Sequence, residues 1–203
     1  MSPYRIAVFA SGSGSNFQAI VDRVRAGTLD VSIELLVCDR PAAYVVKRAE
    51  EAGIPAFVFR PKEFHSREDY EALILKELET RGVDLIVMAG YMRIITHTLI
   101  DPYYGRMINI HPSLLPAFPG VDAIGQAYEY GVKLTGVTVH YVDGGLDSGP
   151  IIAQRSIEIH EMETEESITE RIHAVEHELL PQVIGWHREG RVRLDGRRVT
   201  IRK

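Results

Sequence analysis

Arg5-Ile6-Ala7-Val8-Phe9-Ala10-Ser11-Gly12-Ser13-Gly14-Ser15-Asn16 is the stretch on which the fold turns. Its first half is a short, nearly continuous apolar run, the pattern of a strand buried on both faces. Its second half is a glycine-rich turn, and residues 16–26 then read as a helix with Gly27 placed to cap it. The same alternation continues outward. Apolar runs recur at 33–38, 56–59, 84–89 and 107–110, and residues 42–52 read as a helix followed by Gly53. Ser66 followed by Asp69 resembles a helix start, with Tyr70, Leu73, Ile74 and Leu78 spacing an apolar stripe. Repeated strand-helix units with right-handed crossovers imply an α/β fold: a doubly wound, mostly parallel twisted sheet with helices on both faces, Rossmann-like.

Residues 135–142 and 151–159 add later strands around a Gly144–Pro150 loop, with antiparallel pairing open to them. Residues 164–189 read as a long helix, interrupted or bent near Pro181, and 191–202 as a hairpin around Asp195-Gly196. No repeat, low-complexity segment or linker divides the 203 residues, so a single domain over 1–203 is expected.

Hydrophobic content of 45% with 25% charged residues is that of a globular chain able to bury a real core. A net charge of −5 without a long Lys/Arg run leaves no electrostatic footprint for nucleic acid and favours small-molecule partners. Cys38 is the single cysteine, which excludes an internal disulfide and a multi-thiolate metal site. With no signal peptide and no apolar run of membrane length, no membrane association is expected, and a reducing cytoplasm is the expected home.

The turn Ser11-Gly12-Ser13-Gly14-Ser15-Asn16 lies between a strand and a helix, where glycine admits a ligand to the backbone and the helix dipole favours an anion. The plainer reading is a turn capped by Ser15 or Asn16. Asp39, after the second strand, stands where a dinucleotide's ribose-binding acid would. The dinucleotide fingerprint nevertheless fails at its third glycine, where Phe17 stands, and no Gly-Lys-Ser/Thr follows for a Walker loop. A single phosphate fits better.

The chemistry concentrates in Met107-Ile108-Asn109-Ile110-His111-Pro112-Ser113-Leu114-Leu115-Pro116 and Gly144-Gly145-Leu146-Asp147-Ser148-Gly149-Pro150. Period-2 alternation sends Asn109 and His111 to one face of a strand, and Pro112 ends that strand at His111. Open α/β sheets place ligands at such carboxyl ends. An amide N–H or an imidazolium can donate to the oxyanion of acyl transfer, while a carboxylate such as Asp147 can hold the imidazole. Taken singly, a His before Pro and an Asp in a glycine-rich loop are more often structural. Neither Ser113 nor Cys38 has a nucleophile-elbow context, which disfavours a covalent intermediate.

Ala10-Ser11-Gly12-Ser13-Gly14-Ser15-Asn16, Met88-Ala89-Gly90-Tyr91-Met92-Arg93-Ile94-Ile95, residues 109–116 and Leu146-Asp147-Ser148-Gly149-Pro150 appear in an order and spacing that resemble the phosphoribosylglycinamide formyltransferases. The resemblance spans residues 4–190. It implies transfer of a formyl group from 10-formyltetrahydrofolate to glycinamide ribonucleotide in purine synthesis, with no metal, by a monomer or homodimer. By resemblance Asn109, His111 and Asp147 are catalytic. Gly14, Ser15 and Asn16 meet the ribonucleotide phosphate and sugar, Glu176 the ribose, and His173 the phosphate. Arg67, Met92, Arg93, Ile94, Ile95, Asn109 and Val142 form the folate side. The chain then divides into a phosphate-binding half at about 1–100, a folate-binding and catalytic half at about 101–190, and a short hairpin at 191–203. Asp122 and His173 depart from residues common among relatives, a histidine and a glutamine respectively.

Other readings of the same residues stay open. Met92, Ile94 and Ile95 suit a core, Arg67 and Arg93 a solvated surface, and Glu176 an exposed helix. His173-Ala174-Val175-Glu176-His177 matches an H-x-x-E-H zinc pattern, although a third ligand is hard to place. A 10-formyltetrahydrofolate hydrolase would use the same Asn-His-Asp chemistry with water, without the regulatory domain usual there. A methionyl-tRNA formyltransferase would need a tRNA-binding domain and a basic surface. A non-catalytic nucleotide-phosphate binding module is the alternative outside enzymes.

Overall fold

In the computed structural model, which describes residues 3–203, the alternation becomes seven strands in one sheet and six helices. The strands are β1 (Arg5–Phe9), β2 (Ser32–Cys38), β3 (Ala56–Val58), β4 (Leu85–Met88), β5 (Met107–His111), β6 (Leu134–Tyr141) and β7 (Ile151–Glu158). The helices are α1 (Ser15–Arg25), α2 (Tyr44–Ala52), α3 (Arg67–Thr80), α4 (His97–Ile100), α5 (Ala123–Tyr130) and α6 (Glu165–Arg188). A separate hairpin, β8 (Val192–Asp195) and β9 (Arg198–Ile201), ends the chain. The sheet order is β3-β2-β1-β4-β5-β6-β7, parallel from β3 to β5 and antiparallel through β6 and β7.

The period-2 rule sorts the core. Ile6, Val8, Leu36, Val87, Ile108 and Val139 pack beneath the buried stripes of α1 and α6, including Phe17, Ile20, Ile172 and Leu180. Ala7, Phe9, Leu35, Val37, Ile86 and Met107 face the other way, onto Tyr70, Ile74 and Leu78 of α3 and Leu99 of α4. Ser66 and Asp69 form a reciprocal capping box at the start of α3, as their spacing suggests.

Pro181 does not interrupt the last helix. Helix α6 runs unbroken from Glu165 to Arg188 with Pro181 inside it. A proline removes one backbone donor, but Leu179, Leu180, Val183 and Ile184 are all buried around it, and that packing holds the helix through the gap. The short helices α4 and α5 have too little apolar periodicity to be read from sequence.

Strand order reverses between β1 and β4, which opens a crevice at their carboxyl ends. Ser11 closes the floor of that crevice. Its N–H donates to Gly90 O at 3.0 Å, its hydroxyl accepts from Met92 N–H at 2.9 Å, and it donates to buried Asp39. Arg93 Nε meets the second Asp39 oxygen at 2.7 Å. Asp39 therefore ties three loops together, and both its oxygens are engaged within the protein.

Candidate active site

Gly14 caps α1 in the left-handed conformation at φ +73°, and no side chain caps the helix, neither Ser15 nor Asn16. The N–H groups of the first turn and the positive end of the helix are left for an anion. A Cβ on Gly14 would lie 2.4 Å from Val45 Cγ2, so close packing as well as φ demands glycine. Arg48 Nε donates to Ser13 O at 2.8 Å and holds the turn from α2.

Asn16 points from this turn to α6, where its Nδ2 donates to Glu176 Oε2 at 3.0 Å. Glu176 is buried, and burial pushes its carboxyl up to about 7 against the opposing hydrogen bond from Asn16. Asn16 Oδ1 and His177 Nε2 are buried without a hydrogen-bond partner among the described residues. The ring of His173, one turn before Glu176 and exposed, stacks on His177 with centroids 6.3 Å apart. Among the described residues no cluster of three or more His, Cys, Asp or Glu is placed to hold a metal ion, His173 and His177 included.

Asn109 and His111 do share a face of β5, and His111 is its last residue. His111 Nε2 donates to Phe118 O at 2.8 Å, a carbonyl being only an acceptor, so Nδ1 is the nitrogen turned toward Asp147 Oδ2 at 3.5 Å. Asp147 has φ +49°, and its Oδ2 accepts the Gly120 N–H at 2.7 Å. The main chain of Phe118 therefore orients the imidazole, and that of Gly120 steers the carboxylate. Asp147 stands between two histidines, because His140 Nε2 lies 3.7 Å from its other oxygen.

The remaining expected residues occupy the loops after β4 and β6 and the start of α3. Met92 and Ile94 are 56% and 60% exposed, apolar surface without a core role. Ile95 is buried among Tyr70 and Leu99, leaving its main chain as what it can offer a ligand. Arg93 is paired with Asp39, and Arg67 is exposed at the start of α3. Val142 is half-buried, and its N–H donates to Met107 O at 2.9 Å.

His140, Phe118 and Gly120 are absent from the sequence reading. His140 had a signal, as a polar residue two along from Thr138 among the apolar residues Val137, Val139 and Tyr141. Phe118 and Gly120 act through main-chain atoms, and no side-chain pattern announces those.

An amide and an imidazole beside a loop aspartate stand at the carboxyl edge of a doubly wound sheet that also carries an uncapped helix start, a set of groups whose chemistry suits acyl transfer. Comparison with known proteins agrees. Residues 4–184 match the formyl transferase family model. Phosphoribosylglycinamide formyltransferase of Bacillus subtilis is 56% identical over 180 residues, 89% of this chain and 92% of that protein. Glycinamide ribonucleotide transformylase 1 from Symbiobacterium toebii superposes with a TM-score of 0.95 at 43% identity, covering 99% of this chain and 95% of the other. A formyltetrahydrofolate deformylase from Pseudomonas syringae gives a TM-score of 0.91 at 28% identity, covering 100% of this chain and 67% of the other. The chain belongs to the formyl transferase family, in its phosphoribosylglycinamide formyltransferase branch.

Proposed function

We propose that the protein transfers the formyl group from N10 of 10-formyltetrahydrofolate to the free amine of glycinamide ribonucleotide, giving formylglycinamide ribonucleotide in de novo purine biosynthesis. The observation that carries this reading is the convergence of Asn109, His111 and Asp147 at the end of β5 in a chain of this family.

The amine lone pair attacks the formyl carbon, and the carbonyl electrons move onto oxygen. Asn109 N–H donates to that oxyanion, and His111, held by Phe118 O and facing Asp147, stands beside it in the catalytic set. The carbon–N10 bond then breaks as the intermediate collapses. The attacking nitrogen must lose a proton and N10 must gain one, a relay in which Asp147 takes part, through water. Gly14, Ser15 and Asn16 hold the phosphate and sugar, with His173 beside the phosphate and Glu176 at the ribose. Met92, Ile94, Val142 and the main chain of Ile95 supply the folate wall. Arg93 contributes as the tie to Asp39 that shapes that loop, and Arg67 meets the glutamate tail.

Both partners are small molecules. No helix of the described residues is long and apolar enough to cross a membrane, and the free Cys38 suits a reducing cytoplasm. A monomer or a homodimer is the state proposed for the protein.

The test follows deformylation of 10-formyltetrahydrofolate optically, with and without glycinamide ribonucleotide. Turnover strictly dependent on the ribonucleotide is expected. Equal turnover without it makes the protein a hydrolase, the reading favoured by its likeness to the deformylase. No turnover in either mixture moves the weight to a binding module.

A further inference from the structure

The hairpin of β8 and β9 lies beyond the family match, which ends at residue 184. It is nevertheless fastened to the body at several points. Val192, Leu194, Val199 and Ile201 alternate onto the core, and Leu194 Cδ2 lies 3.6 Å from where a Cβ would stand on Gly105, before β5. Arg191 closes the base of the hairpin, its Nε donating to Arg202 O at 2.6 Å while its guanidinium lies over Trp186 of α6. The tip therefore has a defined place. At that tip Arg197 Nη2 donates to Ser148 O at 2.9 Å.

Ser148 follows Asp147 directly. The loop at 143–149 is mostly exposed and is tied within itself at Asp143, whose Oδ1 accepts from Gly145 N at 3.0 Å and from Ser148 Oγ at 2.6 Å. Among the described residues, the bond from Arg197 is the one hydrogen bond its backbone receives from another element. Asp147 is left-handed without being glycine, so its conformation costs energy and needs support from its surroundings. On one side Gly120 supports the carboxylate, and on the other Arg197 supports the backbone one residue later.

We propose that Arg197 is a positioning residue, by which the C-terminal hairpin holds the Asp147 loop in its reactive geometry. This rests on the catalytic reading of Asp147 given above. Arg197 touches no reacting atom. Its guanidinium bears no carboxylate partner among the described ion pairs, so its charge is free to strengthen the bond to the Ser148 carbonyl.

The test compares full-length wild type with Arg197→Ala, Arg197→Lys and, as a neighbouring control, Arg198→Ala. Steady-state kinetics, thermal midpoint and amide hydrogen exchange of residues 143–149 are measured on each. Arg197→Ala is expected to lower kcat about tenfold, since small misplacements of a reacting group are costly. The KM for the ribonucleotide and the thermal midpoint should stay put, and exchange in 143–149 should quicken while that of β4 does not. Arg197→Lys should recover most of both effects, and Arg198→Ala should show neither. Unchanged exchange in 143–149 overturns the proposal, as does a lowered midpoint with both KM values raised, which marks a merely structural arginine. Should wild type turn over without the ribonucleotide, the transfer reading fails, while the exchange data still decide the role of Arg197.

Discussion

Asn109 and His140 face each other across the antiparallel pair of β5 and β6, with the asparagine Nδ2 3.2 Å from the imidazole Nε2. His140 Nδ1 lies 2.8 Å from Tyr141 O, which can only accept, so that nitrogen carries the proton and Nε2 keeps its lone pair. Burial pulls the pKa of His140 down and keeps it neutral. One N–H of the asparagine amide is thereby committed to His140, which leaves the other for the oxyanion of the proposed transfer.

Asn109→Asp keeps the shape and replaces that donor with an acceptor. Removing one oxyanion donor typically costs about 10²–10³ in kcat. We expect a loss of at least that size, with far-ultraviolet circular dichroism unchanged. A loss below tenfold would remove Asn109 from the oxyanion site.

Asp147→Asn retains an oxygen for the Gly120 N–H, so the loop should keep its course. It loses the charge between His111 and His140 and the capacity to accept a proton at neutral pH. General acid–base groups contribute about 10²–10⁴ in rate. Stopped-flow turnover should fall into that range while the KM for each substrate changes little. Preserved kcat would mean that water alone carries the proton.

Legibility in the sequence followed the physics of each element. The parallel strands announced themselves because burial on both faces leaves a continuous apolar run, as in Leu85–Met88, and the Ser66/Asp69 start was readable because a capping box has fixed spacing. Asn109 and His111 could be placed on one face from strand period alone. The continuity of α6 through Pro181 was not readable, since it depends on tertiary packing around the proline. The uncapped start of α1 was equally hidden: Ser15 and Asn16 are good capping residues by type, yet Gly14 takes the cap position and Asn16 turns to a glutamate 160 residues away. His140 reached the site through strand pairing, and Phe118 and Gly120 through their backbones.

Gly14→Ala tests the phosphate role proposed for the turn before α1. Alanine at φ +73° is strained, and its Cβ would meet both Val45 Cγ2 at 2.4 Å and the Val45 backbone at 3.0 Å. Strain and overpacking together should cost roughly 2–4 kcal/mol. Urea unfolding should show that loss, and the KM for the ribonucleotide should rise more than that for the folate. Equal effects on both would place the phosphate elsewhere.

Acid sensitivity should be traceable to His187. Its Nε2 is buried without a partner among the described residues, its ring packs edge-on against Tyr141, and burial pulls its pKa to about 4. The unfolded chain binds the proton near the ordinary value of about 6.5, so the native state disfavours it. Stability is then fully present above about pH 6.5 and falls as pH drops toward 4. His187→Phe should flatten that part of a stability-against-pH curve measured by urea unfolding. An unchanged slope would shift the effect to His140 and His177, whose pKa values burial also lowers.

Glu176 works in the opposite direction. Its carboxyl titrates at about 7 in the folded protein against an ordinary value of 4.5, because burial disfavours the charge. The native state therefore prefers the protonated acid, whose contribution is fully present below about pH 4.5 and is lost as pH rises through 7. The shift corresponds to on the order of 3 kcal/mol across that window. Glu176→Gln stays neutral throughout and keeps an acceptor for Asn16 Nδ2. The variant should match wild type in stability near pH 4.5 and exceed it at pH 8. Its KM for the ribonucleotide should nevertheless rise at pH 8, because the carboxylate that would accept ribose hydroxyls is gone. Stability curves for the two proteins that run parallel from pH 4.5 to 8 would show that Glu176 ionises as an ordinary surface acid, and the buried ribose-binding role would fall with it.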